Sequence, residues 1–296
     1  MIRVQNRVIA AFLAPALFMY LVFFVLPTIG TVVLSLFKWS GPGTPLNFTG
    51  LGNYREIVHD PVYHNSFQNT MIVLFVLGAV VFTLSFLLAL ALYKLPGRRL
   101  LRAVIFFPNV VPPVALSVVW VFLLTSNFGL VNQTLRSIGL GALAQPWLSP
   151  SLIFPSILGA IVWVQTGFFT ILLLSGVERI PKSYFEAAEL DGASEFQRFR
   201  YVTLPMMWDV FSIAVVIWII AAIKTFDFIY VLAGIGGDPP PNVWTLAVHM
   251  FVIAFSGRTP IYEVGYGSAI AVTMILVVLL SVIIARRILR REALYY

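Results

Sequence analysis

"EAAELDGASEFQRFRYVTLP", residues 186–205, gathers Glu186, Glu189, Asp191, Glu195, Arg198 and Arg200 in a 296-residue chain that is only 10% charged. Ser183 stands three residues ahead of Glu186, a spacing that predicts a capping box and a helix start. Ala187, Ala188, Glu189 and Leu190 favour helix, and Gly192 offers a left-handed terminus. Ser194 with Gln197 repeats the capping pattern, so a second short helix is expected to run to about Val202 and to be closed by Leu204-Pro205. The island reads as two short helices with a glycine elbow. Tyr184, Phe185, Leu190, Phe196 and Phe199 are too apolar for a freely solvated loop, yet the segment is too short and too charged to cross a bilayer. It must lie against its own helices or a partner. Ala187 and Ala188 allow close approach, and Glu186 offers a carboxylate that an arginine can hold in a bidentate pair.

Outside the island the chain is 60% hydrophobic and 15% aromatic, with a mean hydropathy of +0.95. Soluble domains run near half apolar and about a quarter charged, so this is an integral membrane protein. A helical span needs about 20 apolar residues, and such windows recur at 8–37, 66–93, 103–125, 151–176, 208–232 and 266–288. The expected fold class is therefore an all-α polytopic membrane protein with six transmembrane helices. One transmembrane domain occupies 1–296, and the loop 183–205 lies within it. The first window is too long, and too close to Met1-Ile2-Arg3, for a cleaved signal. Pro15 and Pro27 predict a kinked first helix, which membranes tolerate where neighbours satisfy the freed carbonyls.

With the loops assigned alternately to two sides, fourteen of the nineteen Lys and Arg fall on the island's side. They are Arg3 and Arg7, then Lys94, Arg98, Arg99 and Arg102, then Arg179, Lys182, Arg198 and Arg200, then Arg286, Arg287, Arg290 and Arg291. Lys38, Arg55, Arg136, Lys224 and Arg258 are on the other. The positive-inside rule then places both termini and the island in the cytoplasm. It also accounts for the net charge of +7 without nucleic acid. The absence of cysteine excludes thiol catalysis, disulfides and cysteine metal sites. His59, His64 and His249 lack ligand spacing and read as solvated loop residues.

Few charges enter the spans, and each needs a reason. Lys224 and Asp227 are three apart, hence on one face of the fifth helix and able to pair there. Asp209 and Glu263 sit near span ends as interfacial residues. In "FFPNVVPPVAL", Pro108, Pro112 and Pro113 remove backbone donors, which reads as a packing kink first and a gate second. An intramembrane aspartyl protease would need two facing acids, whereas only Asp227 lies at depth. No filter-forming repeat supports a channel, and no G-x-x-x-x-G-K-[ST] loop is present. The chain is thus not an enzyme, and any ATP chemistry must enter from outside it.

The island resembles the EAA signature of ABC importer permeases, with Glu186, Ala187, Ala188, Gly192, Leu204 and Pro205 at the matching positions. "FTGLGNYREI" at 48–57, "FGLVNQTL" at 128–135, "TFDFIYVLAGIGG" at 225–237 and "GYGSAIAV" at 265–272 narrow the resemblance to carbohydrate-type permeases related to the maltose and glycerol-phosphate systems. "GIGGDPPPN" departs from the Gly-Gly-Gly-Pro run of that branch. The resemblance implies a type I importer permease fold in a prokaryotic cytoplasmic membrane, importing a sugar or oligosaccharide by alternating access. Glycerol phosphate, polyamine or another small polar solute is the alternative cargo. It further implies that the island is a coupling helix seated in an ATPase subunit. The implied partners are a second, similar permease, two ATPase subunits using ATP and magnesium, and an extracytoplasmic solute-binding protein. No cofactor is implied in this chain. Sugars are held by aromatic faces with amide, hydroxyl and carboxylate groups. By similarity to the family, Gln165 and Phe168 before the island and Trp218 and Thr225 after it fall near solute-contacting positions, with Asp227 close by.

Overall fold

Hydrocarbon offers no partner for a backbone N–H or C=O, so an apolar window crosses it as helix. The computed structural model describes residues 6–234, 237–255 and 263–290, with side chains from residue 9 onward. Arg3, Arg258 and Arg291 of the charge count, and Ile235-Gly236 of the divergent loop, lie outside the described residues. Five helices are long and apolar enough to cross: Ile9–Leu34, Pro61–Lys94, Ile153–Glu178, Trp208–Ala233 and Val264–Leu289. A sixth crossing comes from two shorter helices, Arg98–Val110 and Pro113–Leu124, which meet at 99°. Two antiparallel two-residue strands also pair Phe37 with Phe48 and Lys38 with Asn47.

Burial is graded across the bundle. Half of the fourth span's most apolar window is enclosed, against none of the first span's. The second span packs along the fourth through Val81, Ala89, Ile157, Ala160, Phe169 and Leu173, and the sixth leans on the fifth and first. In the first span, proline is accommodated by a widened π turn at Leu21–Val25, placed where the Pro27 ring would otherwise press on the carbonyl four residues back. Thr28 and Thr31 donate their hydroxyls to the Phe24 and Pro27 carbonyls at 2.7 and 3.0 Å.

The island forms two helices with an elbow, although not with every expected cap. Lys182–Leu190 is entered through Pro181, with no side-chain cap. Ser183 therefore lies inside the first turn and the box with Glu186 does not form. The second box does: Ser194 Oγ accepts from the Gln197 N–H and Gln197 Oε1 from the Ser194 N–H. Gly192 adopts φ +74°. The Ala193 and Gly192 N–H groups donate to the Ala188 and Glu189 carbonyls at 2.9 and 3.0 Å, a Schellman closure. Glu195–Arg198 continues through a π turn, Phe199–Thr203, into Leu204–Met206. Leu204-Pro205 thus does not end the helix. Pro205 occupies a first-turn position, where no donor is needed, and the chain turns at Met207 instead.

His249 departs from its reading as a solvated loop residue. It lies on Leu246–Phe255, a helix too short to span in the connection between the fifth and sixth spans, and is 1% exposed. Its Nε2 is 3.8 Å from Asp60 Oδ2, and Trp244, Tyr63 and Tyr266 surround the ring. Asp60 also caps the second span by accepting from the Val62 N–H, and it accepts from Tyr266 Oη at 2.6 Å. His59 and His64 are exposed as expected. No cluster of metal-ligating side chains occurs among the described residues.

Burial pushes the His249 pKa down to about 4, against the pull of Asp60. The unfolded chain takes up this proton near pH 6.5, before the folded one does. Stability should therefore be complete above about pH 6.5 and fall as pH drops towards 4, by up to roughly 3 kcal/mol from this group. Thermal unfolding of the purified protein between pH 7 and 4.5 should show a loss that is markedly smaller in His249→Gln. Parallel pH curves for the two proteins would contradict the assignment.

Candidate functional site

Two of the crossings are interrupted, and the interruptions face each other. In the third span, Pro108 lies in a 3-10 turn, Phe107–Val110, and Pro113 starts the next helix. The right-angled corner between them is far sharper than the expected packing kink. It is held to the fourth span by Asn109, whose side-chain amide donates to the Val164 carbonyl at 3.0 Å. Gly167 permits that approach, because a Cβ there would collide with the Ile105 carbonyl oxygen. In the fifth span, the helix Trp208–Ile223 stops at Lys224 and resumes at Asp227. The freed Thr225 carbonyl accepts from Thr245 Oγ1 at 2.8 Å, and Thr225 Oγ1 donates to the Ala221 carbonyl at 3.1 Å.

Lys224 and Asp227 therefore do not share one face of a continuous helix, and no ion pair joins them among the described residues. Both instead line a cavity of about 230 Å³ together with Asn109, Gln165 and Thr225 and with the apolar Val111, Leu116 and Phe226. Three of the five expected solute residues, Gln165, Thr225 and Asp227, meet here. Phe168 and Trp218 do not. Phe168 is half-buried and edge-on to Phe169 at 5.1 Å. Trp218 is 3% exposed, donates its indole N–H to the Leu74 carbonyl at 2.8 Å, and packs on Phe82 and Phe169. An indole on an apolar helix looks the same in sequence whether it faces a cavity or the core. Asn109 was missed, and its one signal was an amide set inside a proline cluster.

The island presents a different surface. Phe185 and Phe199 turn inward onto Tyr93 and Phe86 of the second span. Leu190, Phe196 and Tyr201 point out, at 90%, 72% and 73% exposure. Glu186 and Ala187 are exposed, and Ala188 is partly so. Glu186 has no ion pair among the described residues. Other charges fasten the island. Glu195 bridges Lys94 and Arg198 at 2.7 Å each, and Arg198 reaches Glu189 at 3.4 Å. The Lys94 contact holds the Glu195 carboxyl below its usual range. At the same end Glu178 receives Arg98 and Arg102, joining the fourth span to the start of the third.

Comparisons with known proteins agree with this arrangement. Residues 81–293 match the family described as "Binding-protein-dependent transport system inner membrane component". The chain is 32% identical to the probable ABC transporter permease protein YurN of Bacillus subtilis, over 93% of this chain and 94% of the relative. It is 34% identical to the trehalose/maltose transport system permease protein MalF of Thermococcus litoralis, over 90% and 88%. A crystal structure of a bacterial alginate ABC transporter with an alginate pentasaccharide-bound periplasmic protein contains a chain that superposes with TM-score 0.78. That chain is 21% identical, with 97% of both chains covered, and the likeness shows the type I importer permease fold.

The corner's dependence on Gly167 is testable against Gly159, where an added Cβ meets nothing within 4 Å. Gly167→Ala should lower stability by roughly 1–3 kcal/mol through overpacking. Gly159→Ala should be neutral or slightly stabilising. Melting temperatures in detergent compare the two, and equal values would mean that the third span is not seated on Gly167.

Proposed function

The chain belongs to the family of binding-protein-dependent transport system inner membrane components, and from that premise we propose that it imports a carbohydrate through the cavity between its interrupted spans. As a member it is a multi-pass membrane permease subunit of an ABC transporter. The observation that carries the cargo is the lining. Amides from Asn109 and Gln165, a hydroxyl from Thr225, one ammonium and one carboxylate share the lining with apolar side chains. Such a set offers donors and acceptors to a ring with hydroxyl edges and apolar faces. Lys224 and Asp227 cancel in charge, which suits a neutral solute. A phosphate ester would want further cations and a polyamine further acids. Curated relatives named for trehalose/maltose and lactose transport support the same reading.

In this proposal the island end lies in the cytoplasm and the loop 183–205 receives work from two ATPase subunits that bind ATP and magnesium. A second permease completes the pathway, and a solute-binding protein delivers cargo at the opposite end. Glu186, Ala187 and Ala188 form the contact face, and Gly192 fixes the angle between the helices. Leu204 and Pro205, both partly buried, set the junction into the fifth span. Closure of the ATPases then moves the island, and the pairs at Glu195 and Glu178 pass the displacement to the second, third and fourth spans. That changes access to the cavity.

The test is uptake by proteoliposomes carrying the whole transporter. Gln165→Ala and Asp227→Asn should each slow uptake by about tenfold or more, corresponding to ~1.4 kcal/mol, while basal ATP hydrolysis persists. Glu186→Lys should insert normally but lose both uptake and the stimulation of hydrolysis by loaded binding protein. Wild-type uptake in the cavity variants would remove the cargo assignment, and wild-type stimulation in Glu186→Lys would remove the docking role.

A further inference from the structure

At the island end, a groove of about 860 Å³ opens between the first turns of Trp208–Ile223 and the last turns of Val264–Leu289. Its walls carry Asp209, Ser212 and Val216 on one helix and Arg286, Arg287 and Arg290 on and just beyond the other. We propose that this groove seats an anionic phospholipid of the adjoining leaflet, with its phosphodiester held by the three arginines.

Lys94, Arg98, Arg102 and Arg198 are each matched to Glu178, Glu189 or Glu195. Arg286, Arg287 and Arg290 have no ion pair or hydrogen bond among the described residues. Arg99, Arg179, Lys182 and Arg200 at this end also lack an ion pair among the described residues; what separates Arg286, Arg287 and Arg290 is that all three line one groove. Asp209 is the carboxylate on the wall; three cations less this one anion leave a charge of +2. Topogenic charge requires only a count on one side of the membrane. It does not require three arginines to line one groove unpaired. The Ser212 hydroxyl also lacks a partner among the described residues, although a helical serine can bond to the carbonyl four residues back.

The same place suits the rest of a phospholipid. Leu280, Ile283 and Ile284 are exposed and precede Arg287 at helical spacings of three, four and seven, so one stripe runs from apolar to cationic. Acyl chains lie along the first part and the headgroup reaches the second. Trp208 donates its indole N–H to the Leu289 carbonyl at 2.6 Å, closing the groove and setting an indole at the depth of an interfacial belt. A basic pocket between helices at a membrane surface is the kind that takes anionic headgroups, and guanidinium groups bind phosphate in bidentate fashion. The lipid would then clasp the sixth span to the fifth, whose interruption lines the cavity.

The experiment uses the intact transporter and no solute, so its result is independent of the cargo. In nanodiscs of mixed phosphatidylglycerol and phosphatidylcholine, a photoactivatable phosphatidylglycerol should label peptides covering 208–216 and 280–290. After detergent exchange, native mass spectrometry should find phosphatidylglycerol retained about tenfold or more over phosphatidylcholine. Replacing Arg286, Arg287 and Arg290 together by Lys keeps the inserting charge but loses the planar fork, and should reduce retention several-fold. The double variant Arg287→Gln/Arg290→Gln should remove the preference. Labelling spread evenly over other basic helix ends, unchanged retention in the variants, displacement by millimolar glycerol phosphate, or crosslinks showing an ATPase segment filling the groove would each overturn the proposal. The wild-type labelling decides alone if a variant fails to insert.

Discussion

An unpartnered backbone amide in hydrocarbon costs several kcal/mol, and this constraint organises the molecule. Where the chain keeps its helical bonds it can face lipid, and no residue in the most apolar window of the first span is fully buried by the rest of the chain. Where the bonds are broken, at 111–112 and at 224–226, the backbone must be sheltered. Asn109 bonds to Val164 and Thr245 to Thr225, each at an interruption. The cavity is a consequence of that shelter, because two interrupted helices cannot pack as closely as two continuous ones. Its polar lining is drawn from residues at the two interruptions together with Gln165 of the continuous fourth span.

The island faces the opposite problem. Two short helices cannot hold their own shape in water, so they are closed by caps and fastened from several sides. The Schellman turn at Gly192 and the box at Ser194 set the elbow. Phe185 and Phe199 seat it on the second span, and Glu195 ties it to Lys94. Exposed ion pairs are individually weak, so their use here is directional: they fix how the island sits against the second span. Leu190, Phe196 and Tyr201 remain outside these fastenings and exposed.

Charge is divided between these tasks. Glu189, Glu195 and Glu178 are occupied by neighbouring cations, while Glu186, Asp191 and the arginines at the end of the sixth span have no ion pair among the described residues. Unmatched groups in a chain with so little charge mark the surfaces where other molecules are expected to meet it.

Composition and apolar run length alone determined that this protein is a helical membrane bundle with six crossings, because the bilayer sets the length of a span and forbids other backbone arrangements. The glycine elbow and the box at Ser194 were equally legible, since both are decided within a few residues. The cap at Ser183 was not, because Pro181 had already fixed the backbone that a capping serine would need. Tertiary structure alone decided what each polar or aromatic side chain faces. It put His249 in a buried cluster with Asp60, put Trp218 in the core, and separated Lys224 from Asp227 by a break in the helix. Burial and pairing depend on what other spans bring alongside, and no local pattern of residues records that.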